Sequence, residues 1–168
     1  NQGKRFLQIC NNLLRLSQEV PGLRLLFPLH PNPAIREQAQ KILGDAPNIL
    51  LSDSMPYLPF IYMMSKSKLI ITDSGGVMEE APTLRVPVLV VRECTERGEA
   101  LDSGFAKLVG YDGDLLIRES LFALQNGCSG LGENPFGDGT AAKRIVKKLT
   151  GSESPEQNII ISMIESEL

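Results

Sequence analysis

The run Thr72-Asp73-Ser74-Gly75-Gly76-Val77-Met78-Glu79-Glu80 combines a hydroxyl, two adjacent glycines and two carboxylates. It lies between a short apolar run and a helical pattern, where the first-turn backbone N–H groups of a helix have no intrahelical partner. A phosphate can approach such a turn closely, drawn by the positive end of the helix dipole. Ser74 adds a hydroxyl donor. Glu80, one turn on, has the reach to accept hydrogen bonds from ribose hydroxyls. The spacing is not G-x-G-x-x-G and no Gly-Lys-Ser/Thr follows, so the dinucleotide fingerprint and the P-loop are excluded. A plain strand–helix turn, with glycines for tight geometry, accounts for the local pattern equally well.

Arg92-Glu93-Cys94-Thr95-Glu96-Arg97-Gly98-Glu99 is the second segment of interest. A guanidinium there can grip a diphosphate with two parallel hydrogen bonds. By itself the segment reads as a solvated charged loop; beside the Ser-Gly-Gly turn it reads as a diphosphate clamp. In Leu29-His30-Pro31-Asn32-Pro33 a histidine fixed by proline faces a ligand or an interface, or else makes structural hydrogen bonds only. In Asn134-Pro135-Phe136-Gly137-Asp138-Gly139-Thr140, Asp138 or Thr140 is expected to cap a final helix.

Composition narrows the function classes. The chain has 168 residues, 42% hydrophobic and 22% charged, with a formal charge of -3. It can therefore bury a core, and it lacks the basic stripe of a general nucleic-acid binder. No apolar run reaches the roughly 18 residues of a membrane span. His30 is the only histidine, which argues against a zinc site and excludes any Ser-His or Cys-His system that does not use it. Cys10, Cys94 and Cys128 are far apart and odd in number, so a disulfide framework is not expected and a reducing, cytoplasmic setting fits. The chain opens Asn1-Gln2-Gly3 without an initiator Met or a secretory signal, which suits a piece of a longer protein.

Helices that could position these residues are predicted over 3–19, 34–43, 57–65, 77–84, 112–125 and 140–149. Strands are predicted over 23–29, 48–51, 68–72, 86–91 and 107–109. In the helix over 57–65, Leu58, Ile61, Tyr62 and Met64 are expected to point inward. Residues 92–101 are expected to be loop. Strands alternating with helices imply a Rossmann-like α/β sandwich: a parallel sheet, right-handed crossovers and a helical layer on each face. Ligands of such sheets sit beyond the carboxyl ends of the strands, where His30, residues 73–76 and residues 92–97 all fall. Residues 1–150 read as this domain, and 151–168 as a tail of unassigned role opening with a Gly-Ser-Glu-Ser-Pro linker and carrying an apolar cluster from Ile159 to Ile164.

These motifs together resemble the carboxyl-terminal half of the bacterial-type, non-hydrolysing UDP-N-acetylglucosamine 2-epimerases. The family's Thr-Asp-Ser-Gly-Gly turn with two glutamates and Ala-Pro is met by Thr72 to Pro82, and its Thr-Glu-Arg block by Thr95 to Arg97. Its His-x-Asn-Pro loop is met by His30 to Pro33, its Tyr-Leu-Pro-Phe helix start by Tyr57 to Phe60, and its Asn-Pro-aromatic-Gly-Asp-Gly segment by Asn134 to Gly139. The blocks occur in the family's order.

The resemblance implies the second domain of a two-domain GT-B enzyme that interconverts UDP-N-acetylglucosamine and UDP-N-acetylmannosamine by eliminating UDP and adding it back. No cofactor or metal is implied. Ser74, Gly75, Gly76 and Arg97 would meet the diphosphate, Glu80 the ribose, and Phe60 with the main chain near Met55 the uracil. His30 would contact a second UDP-N-acetylglucosamine acting as an allosteric activator. No catalytic acid is expected in this half. Those residues, and a His-Arg-Arg-Glu segment expected just before Asn1, would belong to an amino-terminal half, and the full-length form would be a cytoplasmic homodimer of polysaccharide biosynthesis. Gly98 stands where the family usually has proline, which loosens the Arg97 loop. The rival readings are the sugar-nucleotide domain of a GT-B glycosyltransferase and a non-catalytic UDP-sugar-binding module.

Overall fold

The computed structural model describes residues 2–128 and 131–151; the Ile159 to Ile164 cluster and the rest of 152–168 lie outside the described residues. In chain order the elements are α1 (Gln2–Glu19), β1 (Leu25–Pro28), α2 (Pro33–Leu43), β2 (Ile49–Ser52), α3 (Tyr57–Lys66), β3 (Ile70–Thr72), α4 (Gly75–Leu84), β4 (Val88–Val90), α5 (Gly98–Asp102), β5 (Ala106–Leu108), α6 (Gly113–Asn126) and α7 (Ala141–Thr150). Each predicted helix and strand is present; β1, β3 and β4 are shorter than expected, and β2 and β5 are shifted by one residue. Every strand pairing is parallel, but the sheet is divided: β1 pairs with β2, and β3, β4 and β5 form a second ladder in that order. Residues 1–135 make up one compact unit. α7 belongs to a second, which begins at Phe136.

Apolar burial explains the helix placements. Cys10 and Leu13 of α1 pack with Ala39 and Leu43 of α2 and with Leu29 and Ile49 at the first ladder. One turn further along α1, Leu16 and Val20 meet Ile117 of α6. Leu116 of α6 joins Leu89, Val91 and Val109 of the second ladder. Ile71 of β3 packs against all three groups, so it ties the two ladders to a shared helical layer.

Two expectations are corrected. Along α3 only Met64 is buried, whereas Leu58 and Tyr62 are 76% and 60% exposed. Leu58 and Tyr62 are four apart and share a face; the core takes the other one, where half-buried Phe60 and Ile61 lie with Met64. The stretch read as loop over 92–101 folds its last part into α5. Sequence periodicity could not show this, because a single turn with Gly98, Glu99 and Asp102 carries little apolar signal.

Arg85 closes α4 in the left-handed conformation, with φ 58° and ψ 38°. Its guanidinium donates to the carbonyls of Leu131 at 3.0 Å and Gly132 at 2.5 Å and lies 5.5 Å from the centre of the Phe105 ring. Those bonds fix the segment leading to Asn134, whose side chain donates to Glu79 and Thr83 of α4.

Candidate functional site

β3 delivers its carboxyl end to Ser74, which stands at the N-cap of α4 with extended backbone angles, φ -86° and ψ 127°. A serine there usually bonds the first-turn N–H groups; this one makes no side-chain cap hydrogen bond. The Ser74 N–H instead donates to Thr72 Oγ1 at 3.0 Å, which sets the turn. The first turn of α4, opened by Gly75 and Gly76, thus presents its N–H groups without a capping oxygen from Ser74.

The neighbouring strand supplies the facing loop. β4 ends at Val90, and the Val91 N–H donates to Thr72 O at 3.0 Å, which aligns the two strand ends. Within the loop, Thr95 Oγ1 accepts the Arg97 N–H at 3.1 Å and approaches Met78 Sδ of α4 at 3.7 Å. Arg97 is thereby seated at the N-cap of α5 with its side chain over α4. Arg97 Nη2 and Cζ lie 3.6 and 3.7 Å from where a Cβ on Gly75 would stand, and Glu96 Oε1 lies 3.5 Å from that point. Glycine at 75 is what leaves a gap between the guanidinium and the turn.

Both arginines of the loop are ion-paired, in different places. Arg97 Nε donates to Glu79 Oε1, and its Nη1 lies 3.5 Å from Glu96 Oε1. Arg92 pairs with Glu96 at 3.3 Å and has no described contact with the turn. The Glu96 carboxyl is held below its ordinary range, first by its own backbone N–H and then by the two guanidinium charges.

Glu80 points elsewhere. Its Oε1 accepts the Tyr57 hydroxyl at 3.0 Å, so the start of α3 is fastened to α4. The carboxylate stabilises the protonated phenol and pushes the Tyr57 hydroxyl above its ordinary pKa. Half-buried Met55 and Phe60 flank Tyr57 in sequence, which brings the expected base-binding residues to the α3 end that reaches Glu80.

His30 is not drawn into this group. It is exposed beyond β1, and its Nδ1 accepts the Asn32 N–H at 3.1 Å. Asn32 Oδ1 caps α2 by accepting from Ala34 N at 3.0 Å, with Pro33 in the first helical turn. The loop is therefore a proline-started helix cap. The expected side-chain cap of α7 is not formed: Thr140 stands at the N-cap without a side-chain cap hydrogen bond, and Asp138 bonds Thr140 itself rather than the first helical turn. Asp138 accepts the Thr140 N–H at 3.0 Å and the Thr140 hydroxyl at 2.7 Å, and Arg144 pairs with it; these bonds hold its carboxyl down at about 2.

Two residues of the site escaped the sequence reading. Glu79 sat within the recognised motif but was given no role. Asn134 was placed in a capping segment, whereas its Nδ2 donates to Glu79 O at 3.0 Å and Thr83 Oγ1 at 2.7 Å. The helical repeat carries a signal for the first: Glu79 is four residues from Gly75 and must share its face. Nothing local signals the second, whose partners lie 55 and 51 residues away.

Among the described residues no cluster of His, Cys, Asp and Glu could hold a metal ion, and no helix is long and apolar enough to cross a membrane. The architecture is that of a Rossmann-like α/β domain, with its polar groups gathered at the carboxyl ends of adjacent parallel strands, where such folds take nucleotides. Residues 1–150 match the UDP-N-acetylglucosamine 2-epimerase family, and the chain belongs to that family. It is 40% identical over 151 residues to the UDP-N-acetylglucosamine 2-epimerase of Escherichia coli K12, a match covering 88% of this chain and 40% of that protein. The crystal structure of the Neisseria meningitidis UDP-GlcNAc 2-epimerase bound to UDP-GlcNAc superimposes with a TM-score of 0.80 at 39% identity, covering 90% of this chain and 42% of that one. The Methanocaldococcus jannaschii UDP-GlcNAc 2-epimerase, in complex with UDP-GlcNAc and UDP, gives a TM-score of 0.77 at 30% identity, covering 90% and 42%. The chain thus spans about two fifths of the length of the relatives it matches.

Proposed function

We propose that this chain is the UDP-binding, carboxyl-terminal half of a non-hydrolysing UDP-N-acetylglucosamine 2-epimerase, with residues 1–150 as the binding domain. The observation that carries this reading is the Arg97 guanidinium held over Gly75 at the uncapped start of α4. Backbone N–H groups on one side and a fixed guanidinium on the other suit a diphosphate. Relatives solved with UDP-GlcNAc share this fold at 30–39% identity. Glu80 would exchange the Tyr57 hydroxyl for ribose hydroxyls, and Phe60 with the main chain at Met55 would take the uracil.

In the reaction, UDP leaves C1 as the proton at C2 is removed, and UDP returns after a proton is delivered to the opposite face of C2. Negative charge grows on the leaving phosphate oxygen as the C1–O bond breaks. Arg97 and the first-turn N–H groups of α4 stabilise it without reorganising. The acid and base at C2 would come from the remaining part of a full-length enzyme. A homodimer, an activator site at His30, UDP-N-acetylmannosamine as product and a cytoplasmic role in polysaccharide synthesis complete the proposal.

Calorimetric titration of the chain with UDP, UMP and uridine tests it. The expected order is UDP tightest and uridine weakest. Equal affinities for UDP and uridine would reduce the Ser-Gly-Gly turn to a turn.

A further inference from the structure

We infer that Glu79 is a positioning residue that aims Arg97 at the diphosphate, in a division of labour with its neighbour Glu80; the inference rests on the UDP-binding reading above. Positions four apart share a face of a helix. Glu79 therefore stands on the Gly75 face of α4 and Glu80 on the Gly76 face. Their contacts divide in the same way, Glu79 taking Arg97 Nε and Glu80 taking the Tyr57 hydroxyl.

A guanidinium has three nitrogens, and the surroundings treat each differently. Glu79 engages Nε, Glu96 lies at ion-pair distance from Nη1, and Nη2 is the nitrogen held over Gly75. Glu79 thus fixes the rotation of the planar group while leaving the nitrogen nearest the turn for a ligand. Its own backbone is fixed in turn by the Asn134 amide. The Arg97 backbone is fixed through Thr95, which reaches Met78, the residue beside Glu79. Holding a binding group in its productive orientation beforehand removes the ordering cost from the binding step.

The arrangement has an electrostatic cost. A carboxylate close to an incoming diphosphate repels it. Geometry and charge therefore act in opposite directions at this one residue, and substitution can separate them. Glu79→Gln keeps a carbonyl oxygen for Nε and removes the charge. Glu79→Ala removes both.

The test is titration of the chain and its variants with UDP and uridine, with thermal unfolding midpoints recorded for each. Glu79→Ala is expected to weaken UDP about tenfold, on the scale of one charge-assisted hydrogen bond. Uridine binding should be unchanged. Glu79→Gln is expected to bind UDP as tightly as the parent chain or more tightly. In an Arg97→Ala background, Glu79→Ala should cost nothing further, because the residue acts through the arginine. UDP affinity unaffected by Glu79→Ala, an equal loss in Glu79→Gln, or full additivity with Arg97→Ala would each overturn the inference. A parent chain that fails to prefer UDP over uridine, or one indifferent to Arg97→Ala, would instead overturn the UDP-binding reading itself.

Discussion

The turn after β3 and the loop after β1 both leave the carboxyl ends of parallel strands, yet among the described residues only the first is bonded to other loops. Around Ser74 and Gly75, residues from α3, α4, the β4–α5 loop and the segment at Asn134 converge through hydrogen bonds and the ion pairs of Arg97 with Glu79 and Glu96. Around His30 the bonds are local: Nδ1 serves Asn32, and Asn32 serves α2. The difference lies in the neighbouring loop, since β1 and β3 each pair with a single strand, β2 and β4. The loop after β4 folds back on α4 through Thr95 and Arg97, whereas the segment after β2 meets α2 through the Asp53–Arg36 pair and not through His30. A strand end becomes a built site when the loop of the neighbouring strand bonds back across it.

The sharpest way to break that contrast is at Arg97. Arg97→Lys keeps the charge but loses the planar fork. It should weaken UDP roughly tenfold or more, the scale of charge-assisted hydrogen bonds at about 1.5–3 kcal/mol each. Arg92→Lys should cost much less, because Arg92 pairs with exposed Glu96 and not with the turn. Equal affinities in the two variants, measured by calorimetry, would leave the loop as a solvated charged segment.

A smaller effect separates the two glycines. A Cβ at 75 would stand 3.5–3.7 Å from Glu96 and Arg97 atoms, in the gap between the guanidinium and the turn; one at 76 would meet only Ser74 Oγ, at 3.9 Å. Gly75→Ala should therefore lower UDP affinity several-fold more than Gly76→Ala. Both should stabilise α4 slightly, since alanine is favoured over glycine in helices by about 0.5–1 kcal/mol. Affinity and thermal midpoint moving in opposite directions at 75 is the expected signature. A loss of both would show that Gly75 serves only the backbone.

Much of this was legible in the sequence. Alternating apolar runs and amphipathic stretches placed the elements, because burial of one helix face leaves a periodic trace. The turn and clamp motifs fell after strands, where parallel sheets bind ligands. Other features were not legible, for physical reasons. Periodicity shows that α3 has two apolar faces but not which the core takes, so Leu58 and Tyr62 were assigned inward and stand exposed. The division between Glu79 and Glu80 depends on partners 18 and 23 residues away. The role of Asn134 needs Arg85 to carry the chain back past α4.

On the other side of the comparison, His30→Ala should leave the UDP affinity of this chain within about twofold, as for an exposed residue outside the bonded cluster. In a complete enzyme it should weaken activation by UDP-N-acetylglucosamine more than it weakens UDP binding. Loss of UDP binding in the variant, or a substrate curve of unchanged sigmoidality, would contradict the separation of the two strand ends.

The smallest expected effect concerns how each ladder is braced. Beside the second ladder, Lys107 of β5 donates to Glu119 of α6 at 2.6 Å, and the Glu119 side chain is only 9% exposed. Beside the first, Arg36 pairs with Asp53 at 2.6 Å, but the Asp53 side chain is 82% exposed. An exposed pair is worth at most about 1 kcal/mol, and Asp53→Asn should be close to neutral. For Glu119 the Lys107 hydrogen bond outweighs burial and holds the carboxyl below its ordinary value. A carboxyl depressed in the folded state contributes stability above its unfolded pKa of about 4.3 and loses that contribution as pH falls through the folded value. Glu119→Gln should therefore lower the unfolding midpoint at neutral pH and flatten its fall in acid, with UDP affinity at pH 7 unchanged. Parallel acid limbs in parent and variant would show that the Lys107–Glu119 pair does not brace this ladder. A drop in UDP affinity at neutral pH would show that the brace reaches the clamp, and that the site depends on the far side of β4 as well as on its own loops.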